Sequence, residues 1–133
     1  VFCLDRSGIS GEDGVTHQGI FDLAYLRHIP NFTVMAPSSE RELEDMLEFA
    51  LNTRTPCAIR YPKATAISIQ HSLPGVQLGR AEVLKDGNDA AIIAIGSMVG
   101  PSLEAARILK SEEIDACVIN SRFVKPLEKV FSN

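Results

Sequence analysis

The chain has 133 residues, enough for one ordinary domain or for pieces of two. Hydrophobic residues make up 45% and charged residues 23%, the balance of a soluble globular protein. A net charge of −4 speaks against non-specific nucleic-acid binding, which needs a basic surface, and no apolar run approaches the roughly 20 residues of a membrane-spanning helix.

Val1 to Leu4 reads as a short buried strand, and the first residues lack the ordered positive, apolar and cleavage regions of a secretory leader. A polar loop follows, with glycines at 8, 11, 14 and 19. Ile20, Leu23, Ala24, Leu26 and Arg27 then fall at helical spacing, and Pro30 ends that helix. Phe32 to Ala36 is a second buried strand. Ser39 and Glu42 form a capping box for the next helix, each side chain bonding an otherwise unpaired amide. Its apolar face is Leu43, Met46, Leu47, Ala50 and Leu51, while Glu44, Asp45 and Glu48 face solvent. Pro56 to Tyr61 is a third strand, broken by Pro62-Lys63-Ala64.

From Thr65 to Leu78 the pattern dissolves, with a turn at Pro74-Gly75, which reads as a linker. Gly79 to Leu84 is a short strand, followed by an Asp86-Gly87 turn. Ala90 to Ile95 is a strongly buried strand that ends at Gly96-Ser97. A helix runs from about Gly100 to Glu112 on Leu103, Ala106, Ile108 and Leu109. Ala116 to Asn120 is a further strand, and Leu127 to Asn133 begins a helix. Strands alternating with helices imply an α/β fold with parallel pairing and right-handed crossovers. The start inside a strand and the abrupt end read as a fragment of a longer chain. Cys3, Cys57 and Cys117 each sit in an apolar run without metal-binding spacing. They read as reduced, buried thiols, suited to the cytosol or an organelle stroma or matrix.

The loop Asp5 to Gly19 holds the chemistry-bearing residues. Loops at the carboxyl ends of parallel strands are where open α/β sheets place ligands. His17 lies four residues after Asp13, and an imidazole there passes a proton or bonds a substrate hydroxyl. The alternative is a structural histidine capping the helix that starts near Gly19. His28, at a helix end, and His71, in the linker, read as structural or exposed. Arg6 follows the first strand and can offer a fork of donors to a phosphate or carboxylate; the alternative is a salt bridge to Asp5, Glu12 or Asp13. Arg60 and Lys63 stand at the end of the third strand. Parallel strands one and three open on the same edge, so Arg6 and Lys63 are expected to meet around one anionic group. Gly96-Ser97-Met98-Val99-Gly100 reads as a tight turn rather than a phosphate cradle, and no nucleotide motif is present.

These residues resemble a known family. Asp5-Arg6-Ser7-Gly8, Gly11 to Gly19 (Gly-Glu-Asp-Gly-Val-Thr-His-Gln-Gly) and Phe21 to Asn31 closely resemble the 1-deoxy-D-xylulose-5-phosphate synthases, a transketolase-like, thiamine-diphosphate family. Met35-Ala36-Pro37, Ile59-Arg60-Tyr61-Pro62-Lys63 and Ser121-Arg122-Phe123-Val124-Lys125-Pro126-Leu127 continue the likeness in order. The Gly-Glu-Asp-Gly-x-Thr-His-Gln stretch is shared with transketolase, whereas the other segments favour the synthase.

The resemblance implies open parallel sheets with flanking helices. Residues 1–68 would be the second half of a pyrimidine-binding domain, 69–79 a linker, and 80–133 the start of a transketolase C-terminal domain. It implies an enzyme condensing pyruvate with D-glyceraldehyde 3-phosphate, with release of carbon dioxide, on the non-mevalonate route to isoprenoids. Arg6 and Lys63 match positions that hold the aldehyde's phosphate, with Arg60 a secondary candidate. Asp13 and His17 match positions that assist carboligation and proton transfer. The cofactors implied are thiamine diphosphate and magnesium, mostly bound by segments outside this sequence, and the implied assembly is a cytoplasmic homodimer (plastid-stromal in a plant or alga). No nucleic acid, membrane or chain-borne metal site is expected. Lys63 departs from the family's usual arginine, and Ala64 from its usual glycine. The lysine keeps the charge and loses the two-pronged geometry. The alternatives are a transketolase fragment, a 2-oxo acid dehydrogenase beta-chain fragment, or a non-catalytic module that binds a phosphate metabolite.

Overall fold

A computed structural model describes residues 1–65, 67–70 and 75–127. In chain order the first elements are β1 (Phe2–Leu4), α1 (Asp22–Leu26), β2 (Thr33–Met35), α2 (Glu40–Asn52) and β3 (Cys57–Arg60). They are followed by β4 (Glu82–Lys85), β5 (Ala90–Ala94), α3 (Val99–Ser111), β6 (Ala116–Asn120) and β7 (Phe123–Lys125). The architecture is α/β: two sheets, ordered β1-β3-β2-β7 and β4-β6-β5, with flanking helices.

β3 pairs in parallel with β1 on one side and β2 on the other, Leu4 lying opposite Arg60 and Met35 opposite Ile59. The carboxyl ends of β1 and β3 are therefore neighbours, which brings the Arg6 loop beside Lys63. β5 and β6 are also parallel. Two pairings depart from the all-parallel expectation: β2 with β7 and β4 with β6 are antiparallel. β7 is a strand that the sequence pattern did not reveal. Three residues are too few to show a period, and its partner β2 is some 90 residues upstream in the chain.

Alternation along β2 sorts its side chains onto two faces. Met35 packs with Met46, Ala50, Cys57, Ile59 and Phe123 under α2. Val34 packs with Leu26, Phe32 and Ala58 under α1. A third cluster, Ala106, Ala116 and Val118, joins α3 to the second sheet.

Several burial expectations are corrected. β1 is a sheet edge, and Phe2 is 58% exposed rather than buried. β5 is likewise an edge, with Ile93 exposed and Ala94 its buried residue. On α2 the buried line is Glu42, Met46 and Ala50, an i, i+4 stripe; Leu47 and Leu51 face solvent. Ile108 on α3 is also exposed. Of the cysteines, Cys57 is buried, Cys117 is half-buried and Cys3, on edge strand β1, is exposed. The helix expected near Ile20 shrinks to the five residues of α1. His71, Pro74 and the helix expected beyond Leu127 lie outside the described residues.

The capping box forms in altered shape. Ser39 Oγ accepts from Glu42 N at 3.2 Å, whereas the Glu42 carboxylate accepts from Ser38 N at 2.7 Å and Ser38 Oγ at 2.6 Å. Glu42 is buried because it has more to do. Asn120 Nδ2 donates to Glu42 Oε1 at 2.9 Å. Arg122 Nε stands 2.8 Å from the same oxygen, off the line of a hydrogen bond, and its terminal nitrogen donates to Glu82 Oε2 at 2.6 Å. This buried set ties α2 of the first sheet to β4 and β6 of the second. Among the described residues, no helix is long and apolar enough to cross a membrane.

Candidate functional site

The ladder between β1 and β3 runs on past the strand ends. Tyr61 N donates to Leu4 O at 3.0 Å and Ser7 N to Tyr61 O at 3.1 Å. Arg6, between them, takes a left-handed backbone at φ 57°. The far end of the loop is zipped to the same place: Gly19 N donates to Arg6 O and Gly8 N to Gly19 O, both at 3.0 Å. Glycine is required at 19, because a Cβ there would stand 2.6 Å from Arg6 O. Arg60 reinforces the closure, donating to Gly19 O at 2.5 Å and to Asp22 Oδ2 at 3.3 Å.

That frame brings two cations together around one carboxylate. Arg6 Nε donates to Asp13 Oδ2 at 2.8 Å, and Lys63 Nζ donates to Asp13 Oδ1 at 3.0 Å. Arg6 also pairs with Asp5 at 2.5 Å. The anion between the strand-end cations is thus the chain's own Asp13, and the salt-bridge alternative for Arg6 is realised twice over. The Lys63 hydrogen bond, helped by the charges of Lys63 and Arg6, holds the Asp13 carboxyl below its ordinary range against the opposing push of burial. Asp13 is therefore an anion at neutral pH. With its own counter-charge seated in it, the arrangement is a two-sided grip for oxygens bearing negative charge.

His17 is exposed, with its ring Nδ1 2.9 Å from Thr16 Oγ1 and its backbone N–H on Gly14 O. It is not a helix cap, since α1 starts at Asp22 with Phe21 at the N-cap and no side-chain cap bond. The imidazole is exposed on the loop that carries Asp13. Arg60, the secondary anion candidate, touches the loop backbone and Asp22 instead. Asp22 in turn accepts from the Tyr25 hydroxyl at 3.0 Å; burial and that neighbouring carboxylate push the phenol's pKa up.

Sequence reasoning assigned no role to Gln18, whose carboxamide makes several bonds inside the loop. The one available signal was a buriable amide flanked by chemistry-bearing residues in a loop without an apolar core. Away from the loop, a cavity of about 420 Å³ opens at the start of α2, lined among others by Ser38, Ser39, Tyr61, Pro62 and Ser97; neither Arg6, Asp13, His17 nor Lys63 lines it. Gly96 to Met98 forms a single 3-10 turn with Gly96 buried at φ 59°, the tight-turn reading of that segment. Among the described residues, no group of three or more His, Cys, Asp and Glu side chains is placed to hold a metal ion.

Residues 1–67 match the transketolase pyrimidine-binding domain, and residues 79–131 match the transketolase C-terminal domain. A 1-deoxy-D-xylulose-5-phosphate synthase of Heliobacterium modesticaldum is 51% identical over 97% of this chain, and one of Pelotomaculum thermopropionicum is 52% identical over 96%. The chain spans about a fifth of the length of these curated relatives (20% of each). Among solved structures, a split-gene transketolase described as an inactive beta4 tetramer superposes with a TM-score of 0.87 at 30% identity, covering 97% of this chain and 41% of that one. The transketolase of Campylobacter jejuni gives 0.78 at 27% identity, covering 92% of this chain and 20% of that one. With parallel strand ends that frame a charged loop, and with these matches along nearly its whole length, the chain belongs to the transketolase family, where its curated relatives are 1-deoxy-D-xylulose-5-phosphate synthases.

Proposed function

We propose that the whole protein is a 1-deoxy-D-xylulose-5-phosphate synthase, a transferase joining pyruvate to D-glyceraldehyde 3-phosphate with loss of carbon dioxide, and that this chain carries the acceptor end of its site. The observation that carries the reading is the Asp13 carboxylate held between Arg6 and Lys63. Cations from two strand ends that already grip one set of anionic oxygens suit the phosphate tail of the aldehyde. In this reading Arg6 and Lys63 bind that tail. Arg6 offers a planar fork and Lys63 a point charge on a flexible stem. Asp13 and His17 then lie on the loop beside the aldehyde, and His17, open to solvent, bonds or protonates the forming hydroxyl. Arg60 serves by holding Gly19 and Asp22, and so the loop, against β3.

Membership of the transketolase family extends this reading to thiamine diphosphate, which supplies the pyruvate-derived carbon nucleophile when bound, and to magnesium as its usual companion. The described residues offer no metal cluster, and their strand-end cations face the loop carboxylates, so neither group is assigned a ligand in this chain. A cytoplasmic homodimer, and a division into 1–68, linker 69–79 and 80–133, complete the proposal.

The test is Arg6→Ala in the whole protein, with pyruvate and glyceraldehyde 3-phosphate varied separately. Loss of a charge-assisted bond to phosphate should raise the apparent KM for the aldehyde about tenfold or more, with that for pyruvate nearly unchanged. An equal rise for both substrates would remove Arg6 from phosphate binding. A preference for a ketose-phosphate donor over pyruvate would make the protein a transketolase.

A further inference from the structure

The loop that presents Asp13 has almost nothing apolar to hold its shape. Ile9 is 87% exposed and Val15 is 96% exposed. A Cβ on Gly11 or Gly14 would meet nothing within 4 Å. The loop's backbone bonds include Asp13 N to Ser10 O at 3.2 Å and His17 N to Gly14 O at 3.0 Å. One side chain takes the place of a core. Gln18 Oε1 accepts from Ser10 N at 2.7 Å. Gln18 Nε2 faces Ser10 O at 3.0 Å, Asp13 O at 3.2 Å and Gly14 O at 3.3 Å. Gln18 is itself anchored, because the next residue, Gly19, is bonded to Arg6 O, to Gly8 N and to Arg60.

The chemistry of these contacts selects a neutral amide of this length. Ser10 N needs an acceptor and the carbonyls need donors, and a carboxamide has both. A glutamate would set a carboxylate against carbonyl oxygens. An asparagine is one methylene short. A methionine fills similar space and makes none of the bonds.

We propose that Gln18 is a positioning residue, whose carboxamide sets the turn that holds Asp13 between Arg6 and Lys63. This rests on the reading of those three residues given above, and the test separates the two. It is a double-mutant cycle in the whole protein: Gln18→Met, Asp13→Asn and both together, with Gln18→Glu as a second probe of the amide. Both KM values and the thermal midpoint are measured for each. Asp13 is the counter-charge seated between the two cations, so Asp13→Asn lowers the KM for glyceraldehyde 3-phosphate by about threefold or more. Gln18→Met, which frees Asp13 from that seat, lowers it likewise, and the double variant lowers it no further than Asp13→Asn alone. Gln18→Glu does the same, while the KM for pyruvate and the midpoint hold. Additive effects of the two substitutions would overturn the proposal. So would Gln18 variants that fail to fold, or that move both KM values along with the midpoint, since the role would then be general stability. If Asp13→Asn leaves the aldehyde KM unchanged, the reading of Asp13 itself fails and takes this role of Gln18 with it.

Discussion

Asp13 faces a cation on each side, and its titration reports on both. Its carboxyl titrates below the ordinary range because Lys63 hydrogen-bonds it and because Lys63 and Arg6 favour the charged form. A group whose pKa is lowered by folding contributes stability that is fully present above its unfolded pKa. That contribution fades as the pH falls through the folded pKa, so the cluster loosens only in acid well below neutrality. A carboxyl-carbon NMR titration should give Asp13 a midpoint below that of a free aspartate. In Lys63→Met the midpoint should rise, since the leading cause is gone. An unchanged midpoint would mean that the lysine bond does not form in solution.

At the scale of elements, α2 shows how a local signal and a distant one share the same residues. The Ser39 cap is local: its hydroxyl satisfies Glu42 N, one of the unpaired amides of the first turn. Ser39→Ala should therefore cost about 1 kcal/mol, read from denaturant melts, with the sheet order unchanged. A cost near zero would show that water replaces the hydroxyl there. The Glu42 side chain works at longer range, meeting Asn120 and Arg122 from the far end of the chain. A capping-box pattern anticipates the helix start and says nothing of that second use.

At the scale of the molecule, Arg122 is the joint between the two sheets. It is 2% exposed, with φ at 57°, and lies between the carboxylates of Glu42 and Glu82. Removing the cation takes the opposite charge away from two buried carboxylates, a change that typically costs about 3–5 kcal/mol. Arg122→Ala should thus lower the thermal midpoint of the whole protein markedly. Arg122→Lys should recover only part of the loss, because an ammonium cannot reach both carboxylates as a fork does. A melt unchanged by Arg122→Ala would dissolve the idea of a joint. β7 follows directly on Arg122, so the same joint delivers that strand to β2 at the edge of the first sheet.

From its sequence alone the chain determined β2, β3, β6, the start of α2 and the α/β class, because apolar periodicity, prolines and caps act over a few residues. It also determined that Arg6 and Lys63 open on one edge, because parallel strands end on the same side of a sheet; that β1 and β3 are direct neighbours was left to the tertiary structure. The tertiary structure alone decided that β1 and β5 lie at sheet edges in this chain and that Phe2, Cys3 and Ile93 are exposed. It decided that β7 crosses to the first sheet, that the anion between Arg6 and Lys63 is Asp13, and that Gln18 takes the place of a core in the loop. Those outcomes depend on which atoms from distant parts of the chain arrive beside one another, and neither spacing nor hydropathy encodes that arrival.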